Sequence, residues 1–168
     1  AEAAGGKTVV PITDVGMVIF ALFADPQGNV VGIVKTGEGE GEGMPEHSHE
    51  MKDGAVGWFE ISGPDAAALR EFYTKVFGWE FQVEPQYGYG MASPGGPCGV
   101  GVGGSPDGQA HVTFYINTSD VAGKLKDVEA NGGHTVMGAE DMGMVEIGLF
   151  VDPDGALIGL MKPKQALV

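Results

Sequence analysis

The chain has 168 residues, 43% of them apolar and 30 of them glycine, with a formal net charge of −14 and a pI near 4.4. That charge repels phosphate backbones and anionic lipid surfaces, and no apolar run approaches the ~20 residues of a membrane span, so neither nucleic acid nor a membrane is an expected partner. A single cysteine, Cys98, excludes an internal disulfide and favours a reducing, cytoplasmic setting.

Residues 1–35 open with a short helix tail at Ala1–Ala4, capped by Gly5-Gly6, followed by three strands at 7–11, 15–24 and 30–34. Residues 36–54, TGEGEGEGMPEHSHEMKDG, hold almost nothing that could pack and read as an acidic flexible linker. A strand follows at 55–63, AVGWFEISG, with Val56, Trp58 and Glu60 on one face and Gly57, Phe59 and Ile61 on the other. Asp65 is the N-cap of a helix whose apolar stripe is Leu69, Phe72, Tyr73, Val76 and Phe77, and Gly78 ends it. Strands are expected around 79–84, 88–93 and 98–103.

A second round starts at His111. HVTFYINTSD is a strand leading into a capped helix with Val121, Leu125 and Val128 inward, stopped by Gly132-Gly133. Strands near 134–138, 144–151 and 156–161 complete it, the last two joined by the turn Asp152-Pro153-Asp154-Gly155.

The chain repeats itself. At a constant offset of 127, residues 2–35 lie on residues 129–162 without a gap, and about half of the positions are identical, among them Gly5, Gly6, Asp14, Gly16, Phe23, Asp25, Pro26, Gly28 and Gly32. So long a period points to duplicated domains rather than a solenoid. The expected organisation is a partial unit at 1–35, the linker at 36–54, a complete domain at 55–163 built of units 55–104 and 111–162, and a tail at 164–168. The first copy lacks its leading strand and most of its helix, leaving an open edge and a bare apolar face. This predicts a homodimer, with exchange of strands across the linker as one form of it; the alternative expectation is a longer tandem protein of which this sequence is a fragment.

The paired β-α-β-β-β units, the stretch DAAALREFYTKVFGW at 65–79 and the closing DPDG turn resemble the vicinal oxygen chelate superfamily of glyoxalase, bleomycin-resistance and extradiol-dioxygenase-like proteins. The resemblance implies an α+β fold of paired βαβββ units curled into a cup (the glyoxalase/bleomycin resistance/dihydroxybiphenyl dioxygenase-like fold). It also implies that a metal centre, where present, takes ligands from the first and last strand of each unit. Carried over by position, His111 is the one good ligand type. Gly159 stands where Glu is usual, and Gly32 stands there in the N-terminal copy. Val56 or Trp58 occupies the leading-strand place, and Cys98 is offset. One ligand of four falls short of the three that a catalytic divalent ion needs, so no metal cofactor is expected in the cup.

The residues expected to line the cup are Val56, Trp58, Glu60, Met91, His111, Thr113 and Tyr115, an aromatic wall with a few polar groups of the kind small-molecule sites use. Catalytic candidates are Glu60, His111 and Glu146, the last placed in the strand before the DPDG turn. His47 and His49, with Glu46 and Glu50, form a weak metal motif in the linker. The function expected is binding of a small, aromatic or apolar compound without a metal. The alternative is a lyase, isomerase or dioxygenase of the same superfamily, working through an atypical divalent metal or an acid/base pair.

Overall fold

The computed structural model describes residues 1–16, 18–36, 52–95, 98–105 and 107–164. A single 3-10 turn at Glu2–Ala4 precedes strands β1 (Lys7–Asp14), β2 (Val18–Ala24) and β3 (Val30–Thr36). Then come β4 (Val56–Gly63), α1 (Ala66–Phe77), β5 (Gln82–Glu84), β6 (Tyr89–Ala92) and β7 (Gly99–Gly104). The last round is β8 (His111–Asn117), α2 (Val121–Ala130), β9 (His134–Asp141), β10 (Val145–Val151) and β11 (Leu157–Pro163). This is the α+β arrangement of βαβββ units. Among the described residues, no helix is long and apolar enough to cross a membrane.

Local chemistry sets the boundaries. Asp65 and Asp120 sit in extended backbone, and each carboxylate accepts from the N–H three residues on, Ala68 and Gly123. Gly78 closes α1 in the left-handed region. The repeat is visible in the backbone itself: Gly5, Gly16 and Gly28 have φ of 95°, 88° and 100°, and their partners Gly132, Gly143 and Gly155 have 90°, 87° and 92°. The two DPxG turns match bond for bond. Asp25 N–H donates to Asn29 at 2.9 Å as Asp152 N–H does to Ala156 at 3.0 Å, and Gly28 and Gly155 close each turn onto the Asp carbonyl.

The chain divides into two compact units. One draws on Ala1–Ser48, Ile61–Gly95 and Val100–Val112. It holds the sheet β1-β2-β3 and the strands β5-β6-β7, with the end of β4 beside β7. Its core is Phe23, Ile61, Leu69, Phe72, Tyr73, Ala92, Val100 and Val102, with Ala4, Val31, Val76, Trp79 and Phe81 packed against it. α1 therefore serves two sheets. Phe23 from β2 meets Phe72 and Phe77 at ring distances of 6.0 and 5.9 Å, while Leu69 and Tyr73 pack among Ile61, Val100 and Val102. The N-terminal strands thus find a covering helix within their own chain.

The other unit draws on His49–Glu60, Gly96–Gly99 and Thr113–Val168, with strand order β4-β8-β11-β10-β9. β11 pairs with β8 in parallel, Gly159 opposite Tyr115, and with β10 antiparallel. α2 covers one face through Val121 and Leu125, which meet Phe150 and Leu160. The opposite face of β8 and β11 carries Thr113, Tyr115, Asn117, Gly159 and Met161 by strand alternation.

Candidate functional site

In the second unit, the first half of β4 lies next to β8, which brings Trp58 and Glu60 beside Thr113 and Tyr115. Tyr115 is buried, 6% exposed, and its hydroxyl is hydrogen-bonded to Glu60. Burial first, then the Glu60 charge and that hydrogen bond, push the Tyr115 hydroxyl far above the ordinary tyrosine range. A half-buried carboxylate on the inward face is thus partnered by a phenol two strand positions from Thr113.

Tyr115 owes its place to Gly159. A Cβ built on Gly159 would run into the ring carbons of Tyr115, so the ring fills the space that a side chain at 159 would take. Glycines make room for side chains at two further places: a Cβ on Gly99 would meet the Trp58 ring, and one on Gly57 would lie 2.5 Å from the Asn117 amide oxygen. Asn117 is 4% exposed, and neither of its amide atoms has a hydrogen-bond partner. Cys98 donates its thiol to the Val56 carbonyl at 3.3 Å, which ties the glycine strand to the start of β4.

His111 opens β8 and holds Asp107, its ring Nε2 3.0 and 3.2 Å from the two carboxylate oxygens. The Asp107 carboxyl is held down to about 2, first by the Ser105 hydroxyl, then by the Gln109 N–H and His111. Met91 is half-buried in β6, between Gln82 and Gly101. Glu146 pairs with Lys162 and Asp141 in register. It alternates with Gly148 and Phe150, whose face is covered by α2, so Glu146 points away from the face of Gly159 and Tyr115. His47 and His49 lie outside the described residues. Among the described residues, no three His, Cys, Asp or Glu side chains gather as a metal site.

Asn117 and Asp107 escaped the sequence reading. Asp107 stands four residues before His111 in SPDGQAH, a spacing that turn chemistry could have flagged. Asn117 ends an apolar strand, where an unpaired amide leaves no sequence signal.

A model of the glyoxalase/bleomycin resistance protein/dioxygenase superfamily matches residues 55–160. The chain belongs to that superfamily. Among its relatives, the Mycobacterium bovis protein named "Putative glyoxylase CFP32" is 32% identical over 132 residues, covering 73% of this chain and 50% of the relative. The anthracycline biosynthesis protein DauV of Streptomyces sp. (strain C5) is 30% identical over 129 residues, covering 65% of this chain and 47% of the relative. The chain spans about half the length of these curated relatives. In fold it is similar to the Mn(II)-bound glyoxalase of Novosphingobium aromaticivorans, with a TM-score of 0.63 at 12% identity over 96% of this chain and 56% of that one.

The buried phenols allow a direct test. Tyr73 in the first unit is also pushed far above the ordinary range, by burial first and by the Asp25 carboxylate that it bonds. A hydroxyl whose folded pKa is raised stabilises the fold fully below the unfolded value near 10, and that contribution drains away as pH climbs beyond it. Alkaline absorbance titration of the folded chain should therefore show Tyr73 and Tyr115, two of the four tyrosines, silent until unfolding. Tyr73→Phe and Tyr115→Phe should leave the pre-unfolding amplitude unchanged. A lost titration step in either variant would contradict this.

Proposed function

We propose that this chain binds a small, partly aromatic compound on the face formed by Trp58, Glu60, Thr113 and Tyr115, without the superfamily's divalent metal. The observation that carries the reading is the Tyr115 ring seated on Gly159, its hydroxyl bonded to Glu60. A carboxylate side chain at 159 has no room while the ring is there. What the position offers instead is an aromatic wall with one anionic acceptor, suited to a flat molecule bearing a hydroxyl or amide donor. The relative named for anthracycline biosynthesis supports a compound of that shape. A homodimer belongs to this reading; the packing of β1–β3 on α1 in one chain favours association of intact copies over exchange of strands.

A second reading has one observation behind it. Glu60 and Tyr115 are a bonded carboxylate–phenol pair, which could move a proton in a lyase or isomerase reaction.

Trp58 is the natural reporter, because Trp79 is the only other tryptophan. In Trp79→Phe, titration with a panel of hydroxylated polycyclic aromatics is expected to quench the remaining emission saturably. Glu60→Gln should weaken that binding about tenfold through loss of a charged hydrogen bond. If no compound changes either the fluorescence or the melting temperature, the binding reading fails. Tag-free protein carrying one divalent ion per chain, retained in His47→Ala/His49→Ala, would overturn the metal-free part.

A further inference from the structure

Asn117 is a polar residue with no local duty. It ends β8 at 4% exposure. Its backbone is fully engaged: its N–H donates to the Ala55 carbonyl and its carbonyl accepts from the Gly54 N–H, both at 2.8 Å. Its side chain makes no hydrogen bond. Three buried side-chain polar atoms lack a partner among the described residues, and two of them are the amide oxygen and nitrogen of Asn117. The third, Asn29 Oδ1, belongs to an amide whose nitrogen already bonds Asp25 and the Ser62 carbonyl. The fold therefore accounts for Asn29 and leaves Asn117 unexplained. An apolar residue of the same shape would serve the strand better, because an amide taken from water unpartnered is costly on both its donor and its acceptor side.

Position gives that cost a use. Strand alternation puts Asn117 on the face of β8 that carries Thr113 and Tyr115, about 7 Å along the strand from Tyr115. Across the β8–β11 ladder its neighbour is Met161, as Gly159 is that of Tyr115. An unbranched methionine side chain yields readily to an incoming group. We infer that Asn117 is the specificity-determining residue of this face, its amide taking the neutral carboxamide or lactam edge of the bound compound. The inference rests on the binding reading above and adds what that compound carries. Nδ2 donates to the carbonyl of such an edge while Oδ1 accepts from its N–H, so one group meets both unpaired atoms at once. A carboxylate cannot do this. It has no proton for Oδ1, and it meets the Glu60 carboxylate in a chain of net charge −14. A hydroxyl on Glu60 and an amide edge on Asn117 then fix the two ends of a fused-ring compound.

Calorimetric titration with a hydroxynaphthamide and the matching hydroxynaphthoate tests this, in the parent chain and in Asn117→Leu. The parent should bind the amide about tenfold or more tighter than the acid. Asn117→Leu, which keeps the branched shape, should erase that preference while still binding hydroxylated aromatics. The ligand-free variant should also melt a few degrees above the parent, because two unmet polar atoms leave the interior. Equal affinity for the two probes, or a preference that survives in Asn117→Leu, would overturn the inference and leave the binding reading standing. A ligand-free Asn117→Leu that melts below the parent would overturn it too, since the amide would then be satisfied inside the fold by an enclosed water. If neither probe nor any hydroxylated aromatic binds the parent, the binding reading itself falls, and this inference with it.

Discussion

Gly159→Glu is expected to destabilise the chain by about 3 kcal/mol, a fall of roughly 10 °C in melting temperature, without creating a metal site. The substitution restores the residue type usual at this position in the metal-bearing relatives that the sequence resembles, so the expectation runs against simple analogy. Physically, the new Cβ meets the Tyr115 ring, and Tyr115 has nowhere to retreat: it is buried and paired opposite Gly159 across a parallel ladder. Moving the ring would also break its bond to Glu60 and leave that carboxylate short of a partner next to a second carboxylate. His111, the remaining ligand type, is engaged with Asp107. Combining Gly159→Glu with Tyr115→Ala should recover part of the loss, because the clash and the cavity offset one another at a single contact. Denaturant melts and elemental analysis of tag-free protein check both halves. A Gly159→Glu variant as stable as the parent, or one holding an ion per chain, would show that the ring does not keep a carboxylate out of position 159.

The features that could be read from the sequence are those set within a few residues. Asp65 and Asp120 cap helices because a carboxylate reaches N–H groups three positions on, and the DPQG and DPDG turns close because Gly accepts a left-handed backbone. The repeat of glycines at one offset fixed three strands at each end. The strand alternation grouped Trp58 with Glu60, and Thr113 with Tyr115. It could not show that Glu60 and Tyr115 meet, since that depends on β4 lying next to β8. Nor could it show that Gly159 is small because a ring occupies its place: a missing side chain reads the same whether the space is empty or filled. Glu146 illustrates the limit from the other side. Proximity in sequence to the DPDG turn suggested a site carboxylate, but one step of the pleat decides the face, and the register puts it with Gly148 and Phe150 under α2. The double use of α1 was equally silent, because Phe72 and Phe77 read as parts of one apolar stripe whichever sheet they face.

Asp25→Ala is expected to cost about 4 kcal/mol, whereas Asp152→Ala, the same residue in the other copy of the turn, should cost only about 1 kcal/mol. The two carboxylates share their local duty. Asp25 Oδ1 accepts from Gln27 and Asn29 N–H at 2.9 and 3.1 Å, and Asp152 Oδ1 accepts from Asp154 and Ala156 at 3.0 and 2.9 Å. Only Asp25 uses its second oxygen to hold other elements, taking the Asn29 side-chain amide at 2.9 Å and the Tyr73 hydroxyl of α1 at 3.1 Å. Asp25 and Asn29 are 4% and 3% exposed and Tyr73 is fully buried, so removing the carboxylate strands a phenol and an amide where water cannot replace it. Asn29 keeps one bond, to the Ser62 carbonyl at 3.2 Å, and its own amide oxygen is already without a partner. Tyr73→Phe removes the donor while leaving Asp25 three others, and should therefore cost about 1–2 kcal/mol, between the two alanine variants. Urea unfolding of the three variants gives the order directly. Hydrogen exchange adds a location: in Asp25→Ala the amides of β2 and β3 should lose protection before those of β10 and β11, because the network that fixes the N-terminal turn to α1 and β4 is the part that has gone. Equal losses for Asp25→Ala and Asp152→Ala would mean that the turn alone, and not its tie to Tyr73, is what the carboxylate supports.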